Sequence, residues 1–281
     1  MLGSVYAIVG VALTLSIGVL KFLNFSIPGL FMVGGMATWA VISVGAPWPL
    51  AALAALGISA VLALVVERFT WRWMRRAEPF VPLVSSMAFL ILFENLAVVY
   101  WGADLRSVPQ LFANADWRVG RLVISVPQLI CLAGSIALTW ALSLLLYKTR
   151  IGRALRTIAE DSDTALLLGV DVNRIVPLVF VVSGLFAALA GILFAFNYRQ
   201  VHPFMGEALG LKAISAMVVG GMGNVWGAIA GGLIIGLAEV FSIDFLGADF
   251  VDIAVYGLLL LILIVRPSGL FGGAAAVGAR A

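Results

Sequence analysis

Long apolar runs recur along the whole chain, and short stretches rich in charged residues, glycine and proline separate them. Most runs hold roughly 20 residues, the length that an α-helix needs to cross the core of a bilayer. The pattern predicts an all-α, polytopic membrane protein with about eight or nine transmembrane helices. The predicted spans cover residues 4–20, 26–44, 48–66, 80–101, 126–147, 176–197, 208–223, 225–241 and 250–265. Since the runs between 208 and 241 are short and glycine-rich, one of them is a candidate for a broken or re-entrant segment.

The composition of the chain is far more apolar than that of a soluble protein. Apolar residues make up 63% of the 281 residues and charged residues 11%, against about 45–50% and about 25% in soluble domains. We therefore expect residues 1–281 to form a single transmembrane domain surrounded by membrane lipid. A net charge of +3 is too small to indicate a nucleic-acid partner. No Lys or Arg precedes the first apolar run, so we expect that span to be retained and not removed as a signal peptide.

Basic residues are divided unequally between the two sets of loops. Cytoplasmic loops of membrane proteins carry an excess of Lys and Arg, so the richer side is predicted to be cytoplasmic. The N-terminus is then outside and the C-terminus inside. The richer side holds Lys21, Arg68, Arg72, Arg75, Arg76, Lys148, Arg150, Arg153, Arg156, Arg174, Arg266 and Arg280. The other side holds Arg106, Arg118, Arg121 and Arg199.

Two loops between the predicted spans are long enough to hold structure of their own. The outer loop, about residues 102–125, mixes turn residues with β-branched ones and predicts a short hairpin. The inner loop, about residues 148–175, is the most charged part of the chain. Its apolar residues, Leu166 among them, recur with a helical period. A second short helix is predicted to begin at residue 161 or 162 and to end at Gly169.

The polar side of this inner segment carries acidic as well as basic residues. A helix that rests on a lipid surface is normally rich in Lys and Arg, so the mixed charge favours a protein partner. A lipid-bound helix and a simple linker between two spans remain alternatives. Arg156 and Glu160 are spaced to pair at i,i+4. The candidate docking residues are Arg153, Arg156, Glu160, Asp161, Asp163, Ala165 and Gly169.

Three stretches of the chain resemble a known family. They are LNFSIPGLFMVGG near the start, GRALRTIAEDSDTALLLGVDVNRIVPLVFVVSGLFAALAGIL from the inner loop, and LKAISAMVVGGMGNVWGAIAGGLIIGLAE near the end. From its first residues to about Gly269, the chain resembles the branched-chain amino-acid permease family of ABC importers. The resemblance implies a permease subunit of an ATP-driven importer in a bacterial inner membrane.

The resemblance also implies partners and a role for the inner loop. Residues 163–165 (Asp-Thr-Ala), followed by Gly169, Ile175 and Pro177, are similar to the loop that docks in this family as a coupling helix into an ATP-binding subunit. The implied partners are a second permease subunit (a copy or a paralogue), two cytoplasmic ATP-binding subunits and an extracytoplasmic solute-binding protein. No phosphate-binding G-x-x-x-x-G-K-[ST] loop occurs in the sequence. We therefore expect no cofactor in this chain and ATP on the partner subunit.

One motif departs from the family pattern. Family members carry Asn-Phe-Ala-His-Gly-Glu after the first span, whereas this chain has Asn-Phe-Ser-Ile-Pro-Gly at residues 24–29. The Asn-Phe pair is kept, but the histidine and the acidic residue are absent. If these positions line the solute path, the substrate differs from leucine, isoleucine or valine. Urea, short amides and aromatic carboxylates are then the alternatives.

Polar residues and helix breaks inside apolar spans are candidates for the translocation path. A charge at the centre of a transmembrane helix costs about 2.5–3.5 kcal/mol on insertion scales, so such residues usually face protein or water. The glycine tract predicts a helix break that exposes helix ends, with close helix packing as the alternative explanation. We interpret Lys212 and Glu239 as groups that form interhelical hydrogen bonds or snorkel to the membrane surface. The candidate path residues are Asn24, Phe25, Glu94, Asn95, Gly221, Gly223 and Asn224.

Nothing in the sequence indicates an enzyme. It has no nucleophile elbow and no Cys/His cluster for a metal, so we predict neither catalytic nor metal-binding residues. The predicted function is the passage of small amino acids, of the branched-chain type first, through a permease subunit. The alternative from another class is an ion-coupled secondary transporter, for which Glu94 is the one good relay candidate. A membrane enzyme is the third and least supported class.

Overall fold

The computed structural model describes residues 1–74, 78, 80–109, 116–119, 122–160 and 162–272. Within these residues the chain is almost entirely helical, as predicted. The α-helices are α1 (Leu2–Leu20), α2 (Ser26–Ser43), α3 (Trp48–Val66), α4 (Phe80–Trp101), α5 (Val126–Lys148), α6 (Arg150–Glu160), α7 (Ser162–Leu167), α8 (Val172–Tyr198), α9 (Met205–Gly220), α10 (Val225–Phe245) and α11 (Val251–Val265). A π-helical segment, Glu67–Arg72, continues α3, and a 3₁₀ turn, Ala248–Phe250, precedes α11.

Seven helices in the described part of the chain are long and apolar enough to cross a membrane. An eighth candidate is the pair α5 and α6, which meet at a bend of 76°. Seven spans confirm the polytopic fold, and the number reaches eight, the lower of the two predicted, only if this pair is counted as one span. The predicted span 208–223 is the one that falls short. It corresponds to α9, whose 16 residues extend about 24 Å, less than the roughly 30 Å of the hydrocarbon core.

Helix α1 lies at the centre of the bundle. Nearly all of its side chains are buried, and it packs against α8, α9 and α10. A helix that is apolar all round and buried has protein, not lipid, as its neighbour. By contrast, α3, α4 and α11 expose large apolar side chains such as Leu53, Val99 and Ile264. Those outer faces suit lipid or a second membrane subunit.

Contacts at the helix ends show which loops lie at each of the two ends of the bundle. At one end, α6 and α7 meet α8, and Gly18 of α1 lies near Gly223. At the other end, the strands β1 (Arg106–Ser107) and β4 (Gln200–Val201) pair antiparallel after α4 and α8. The inner and outer loops predicted from the sequence therefore lie at opposite ends of α8.

The outer loop contains the predicted hairpin. Strands β2 (Asp116–Val119) and β3 (Leu122–Ser125) pair antiparallel, which confirms it. The pairing of β1 with β4 was not predicted. Strands of two residues carry no alternating pattern, and these two are far apart in the chain.

The glycine tract of α10 is a packing surface with two faces. Gly227 and Gly231 lie against α9, and Gly232 and Gly236 lie against α1. A Cβ atom at any of the four would overlap the backbone of the neighbouring helix. Small residues at four-residue spacing therefore let both neighbours approach α10 closely, as the packing explanation predicted.

Candidate translocation site and inner loop

The break between α1 and α2 is built around Asn24, which is buried. Its Oδ1 accepts hydrogen bonds from the backbone N–H of Ser26 at 3.1 Å and from the Ser26 hydroxyl at 2.7 Å. The N–H of Phe25 donates to Oγ of Ser86 on α4 at 3.0 Å. The first N–H groups of a helix have no intrahelical partner, so these bonds fix the point at which α2 begins. Ser26, one of the departures from the family motif, is part of this cap.

Helices α2 and α9 both begin inside the bundle. Helix α2 runs parallel to the second half of α8, since Leu30 lies near Gly184 and Ala37 packs with Ile192. In this register, the first residue of α2 lies beside a residue of α8 that is about nine positions after the first residue of α8. The start of α2 is therefore roughly 13 Å further along the bundle than the start of α8. Helix α9 begins beside it, with Gly206 against the backbone of α2. Two helix N-termini therefore lie next to each other within the bundle.

Glu94 of α4 lies at the N-terminus of α9. Its side chain is 5% exposed, and the backbone N–H of Glu207, in the first turn of α9, donates to its carboxylate. Among the described residues its Oε1 has no hydrogen-bond partner. A helix N-terminus carries partial positive charge, which favours a carboxylate at this position. Glu94 thus faces the protein interior and not lipid, as predicted.

A cavity of about 250 Å³ between α2, α4 and α9 has both Phe25 and Glu94 in its wall. Apart from Glu207, the rest of the wall is made of apolar side chains and Gly210: Pro28, Met87, Leu90, Ile91, Leu211 and Ile214. A mostly apolar wall with one or two polar groups is typical of small-molecule sites. Asn95 does not line this cavity. It is exposed, and its amide donates to the carbonyl of Ile91 at 2.8 Å.

The glycine break lies at the opposite end of α9 from Glu94. Gly221 and Gly223 have φ angles of +107° and +87°, a region in which a residue with a Cβ atom is strained. Asn224 caps α10, because its Oδ1 accepts two N–H groups of the first turn, each at 3.1 Å. The predicted helix break is therefore present, but these three residues do not share the cavity of Glu94.

Residues 266–272 fold back against this break. The N–H groups of Leu270 and Phe271 donate to the carbonyls of Val219 and Gly220. The Asn224 amide donates to the carbonyl of Phe271 at 3.0 Å. Two of the carbonyls at the end of α9 thus accept hydrogen bonds from the C-terminal segment. The expectation that the break exposes this helix end to a solute path is wrong, because the C-terminal segment covers it.

The inner loop forms two helices, as predicted. Helix α6 buries its apolar face and exposes Arg153, Arg156 and Glu160. In the described part of the chain, Arg156 forms no ion pair with Glu160, contrary to the spacing argument. Its guanidinium lies over the ring of Tyr147, 5.3 Å from the centroid, because the bend between α5 and α6 brings the two together. Asp161 lies outside the described residues.

Helix α7 turns one small residue inward and leaves leucines exposed. Ala165 is fully buried, so the prediction that a partner approaches it is wrong: it already packs within its own chain. Leu166, Leu167 and Leu168 are 49%, 89% and 70% exposed. Leu166 was predicted to share one helical period with the apolar residues of α6. It is exposed because α6 ends at residue 160 and α7 begins a new helix, so one period does not run through both.

Gly169 follows α7 with φ +81°, as expected of the residue that ends this helix. Its N–H donates to the carbonyl of Leu166 at 3.0 Å. Asp163 is described only as a member of α7. The inner loop therefore ends in a fixed turn immediately after the exposed leucines.

A buried ionic cluster joins α1, α9 and α10. The Lys212 ammonium donates to Oε1 of Glu239 at 2.8 Å, and the Tyr6 hydroxyl donates to its Oε2 at 2.5 Å. This confirms interhelical hydrogen bonding for Lys212 and Glu239, but their pairing with each other and with Tyr6 was missed. Two opposite charges in neighbouring apolar segments were the signal for it. No group of three or more metal-ligating residues occurs in the described part of the chain.

A bundle of apolar membrane helices, with helix ends and a carboxylate meeting inside it, is an arrangement expected of a multi-pass membrane permease. The chain matches over residues 1–265 the family described as branched-chain amino acid transport system / permease component, and it belongs to that family. The match confirms the resemblance found in the sequence. The chain is a translocation subunit and not an enzyme, and the secondary-transporter alternative is not favoured.

Individual relatives cover nearly the whole chain. It is 31% identical to the high-affinity branched-chain amino acid transport system permease protein BraD of Pseudomonas aeruginosa, over 96% of this chain and 92% of that protein. The permease protein LivH of Escherichia coli is also 31% identical, with the same coverage. The ribose import permease RbsC of Escherichia coli is 27% identical over 83% of this chain and 73% of its own length. No solved structure matches the chain.

Proposed function

We propose that this chain is a permease subunit of an ATP-driven importer that carries branched-chain amino acids across the cytoplasmic membrane. Relatives of nearly equal length are named for branched-chain amino acid transport, which supports the substrate class. The distribution of basic residues supports an orientation with the N-terminus outside and the C-terminus in the cytoplasm. Urea, short amides and aromatic carboxylates are less favoured, because BraD and LivH, which match nearly the whole chain, are named for branched-chain amino acids.

The observation that carries the ATP-driven mechanism is the exposed leucine triplet, residues 166–168. Leu167 is among the most exposed large apolar side chains of the chain. It lies on the side that holds most of the basic residues and beside the exposed charges of α6. Exposed apolar side chains surrounded by charged ones are typical of a surface that binds a protein partner. Two cytoplasmic ATP-binding subunits are the partners we propose, and ATP is bound there and not in this chain.

Two further partners complete the proposal. A second permease subunit, a copy or a paralogue, would cover part of the exposed apolar face of α3, α4 or α11. A solute-binding protein would deliver the amino acid at the end that holds β1 and β4. The proposed path includes Asn24, Phe25 and Glu94 and the cavity beside them. Asn95, Gly221, Gly223 and Asn224 do not line that cavity, so the proposed path does not include them.

The departure from the family motif at residues 26–29 is explained by packing. Ser26 completes the cap made by Asn24, and Pro28 fits against Gly206 and Gly210 of α9. These residues hold α2 against α9 without contributing a charge. The altered motif therefore gives no support to a substrate other than a branched-chain amino acid.

The test compares two substitutions at opposite ends of the bundle. Leu167→Glu places a charge in the proposed ATPase contact, whereas Val44→Glu changes an equally exposed residue at the far end. Leu167→Glu should insert normally, lose most co-purifying ATP-binding subunit and lose leucine uptake, because interfaces tolerate an unpaired charge poorly. Val44→Glu should retain both. Full uptake and full co-purification with Leu167→Glu would show that α7 is not the coupling contact.

A further inference from the structure

A second cavity, distinct from that of Glu94, lies at the outer-loop end of the bundle. It encloses about 330 Å³ between α1, α8, α9 and α10. His202, in the loop after β4, and Tyr198, at the end of α8, place it near the end that holds β1 and β4. Its volume lies in the range of roughly 300–1,000 Å³ that small-molecule sites occupy.

The wall of this cavity contains both members of the buried ion pair. Lys212 and Glu239 line it together with Tyr6, whose hydroxyl donates a hydrogen bond to Oε2 of Glu239. Asp252, which is largely exposed, lies 3.5 Å from the Lys212 ammonium. A carboxylate has room for about four hydrogen bonds and an ammonium has three donors. Glu239 and Lys212 thus each retain capacity for a further partner from the cavity.

The remaining wall is apolar or uncharged. Phe194, Met205 and Leu209 contribute apolar surface, and Tyr198 stacks on Phe194 with ring centroids 4.5 Å apart. Burial lowers the pKa of His202 below its ordinary value, so its imidazole is neutral at pH 7 and adds no second cation. The wall therefore presents one positive charge, one negative charge and an apolar surface.

We propose that this cavity is a binding site for a zwitterionic amino acid with an apolar side chain, on its way from the solute-binding protein into the permease. The substrate ammonium would bind Glu239, its carboxylate would bind Lys212, and its aliphatic side chain would lie against Phe194 and Leu209. An ionisable pair inside a membrane bundle is costly to bury and usually marks a functional site. The assignment rests on the proposed amino-acid substrate, and it adds the place where the substrate first binds the permease.

The same pair of charged groups occurs in the headgroup of phosphatidylethanolamine, which has an ammonium and a phosphate. The test must therefore separate a free amino acid from a lipid. We would measure the melting temperature of the detergent-purified permease–ATPase complex, without the solute-binding protein, because a ligand that binds only the folded state raises it. The four probes are leucine, 4-methylpentanoate (leucine without its ammonium), 3-methylbutylamine (leucine without its carboxylate) and phosphatidylethanolamine.

Leucine should raise the melting temperature, and each analogue with a single charge should do so only at about tenfold higher concentration or more. The double variant Lys212→Met, Glu239→Gln should remain folded, because neutral groups of similar volume often replace a buried ion pair without loss of stability. It should lose the response to leucine. Stabilisation by phosphatidylethanolamine alone, or an equal leucine response in the double variant, would overturn the proposal.

A steric variant decides the matter if the double variant does not fold. Ala208→Leu narrows the same cavity and leaves both charges in place. It should abolish the leucine response, whereas Ala141→Leu, at an exposed position of α5, should keep it. A normal response with Ala208→Leu would again refute the site. Leucine uptake by the complete wild-type importer is measured separately, so uptake without a melting response rejects this site alone and absent uptake rejects the proposed function.

Discussion

The carboxylate of Glu94 on α4 accepts a hydrogen bond from the backbone N–H of Glu207, in the first turn of α9. This places a buried acidic group at the positive end of a helix that begins inside the bundle. The second carboxylate oxygen remains without a partner among the described residues. An unpaired buried acceptor is costly, so the free oxygen supports the proposal that a donor from the solute binds in the neighbouring cavity.

Glu94→Gln should reduce transport without reducing insertion. Glutamine keeps the volume and the bond to the Glu207 N–H but removes the charge, so abundance should stay normal. Leucine uptake should fall about tenfold or more, the effect of losing one charged hydrogen bond. Uptake in proteoliposomes at equal protein abundance measures it. The control is Asn95→Leu, next in sequence but outside the cavity, which should transport normally. Equal uptake by Glu94→Gln and wild type would remove Glu94 from the path.

Gly231→Ala should reduce the abundance of the folded protein. The added methyl group overlaps the carbonyl of Ala216 on α9, and overpacking of this kind costs about 1–3 kcal/mol. Gly257→Ala is the matched control, because a Cβ there meets no atom of the described residues within 4 Å. Gly231→Ala should have a lower abundance in membranes and a lower melting temperature in detergent than Gly257→Ala. Equal values for both would mean that α9 and α10 can move apart at little cost.

The spans could be located from the sequence because crossing a bilayer demands a long apolar helix. The start of α9 was placed at 208 instead of Met205 because Gly206 and Glu207 resemble loop residues. Their position inside the bundle depends on the contact with α2. The inward turn of Ala165 and the outward turn of Leu167 could not be predicted either. Both residues are apolar, and only the packing of α7 decides which is buried. The partner of Lys212 likewise depends on which helices are neighbours.

The orientation can be tested with single cysteines. Replacing Cys131, the one cysteine of the chain, with alanine gives a background without thiols. Asp104→Cys and Leu167→Cys then place a thiol at exposed positions of the outer and inner loops. In intact cells, a membrane-impermeant maleimide should label the first and not the second, and both should be labelled after lysis. Labelling of the Leu167→Cys protein from outside would reverse the predicted topology.

Gly169 should be required for coupling between ATP hydrolysis and transport. Its φ of +81° is costly for a residue with a Cβ, by roughly 1–2 kcal/mol, and asparagine tolerates this conformation better than other residues do. No atom of the residues that the structure describes lies within 4 Å of a Cβ built at this position. A substitution therefore changes the turn after α7 without a clash inside the permease.

Gly169→Val should insert and reach normal abundance, because the change lies outside every span. The turn should open, Leu167 and Leu168 should lose their fixed direction, and leucine uptake per ATP hydrolysed should fall. Gly169→Asn should keep most of the coupling because it can adopt the same backbone conformation. Uptake and ATP hydrolysis are measured together in proteoliposomes that contain the complete importer. If the valine variant couples as well as wild type, the turn has no part in transmitting the ATPase movement, and the contact must depend on α6 instead.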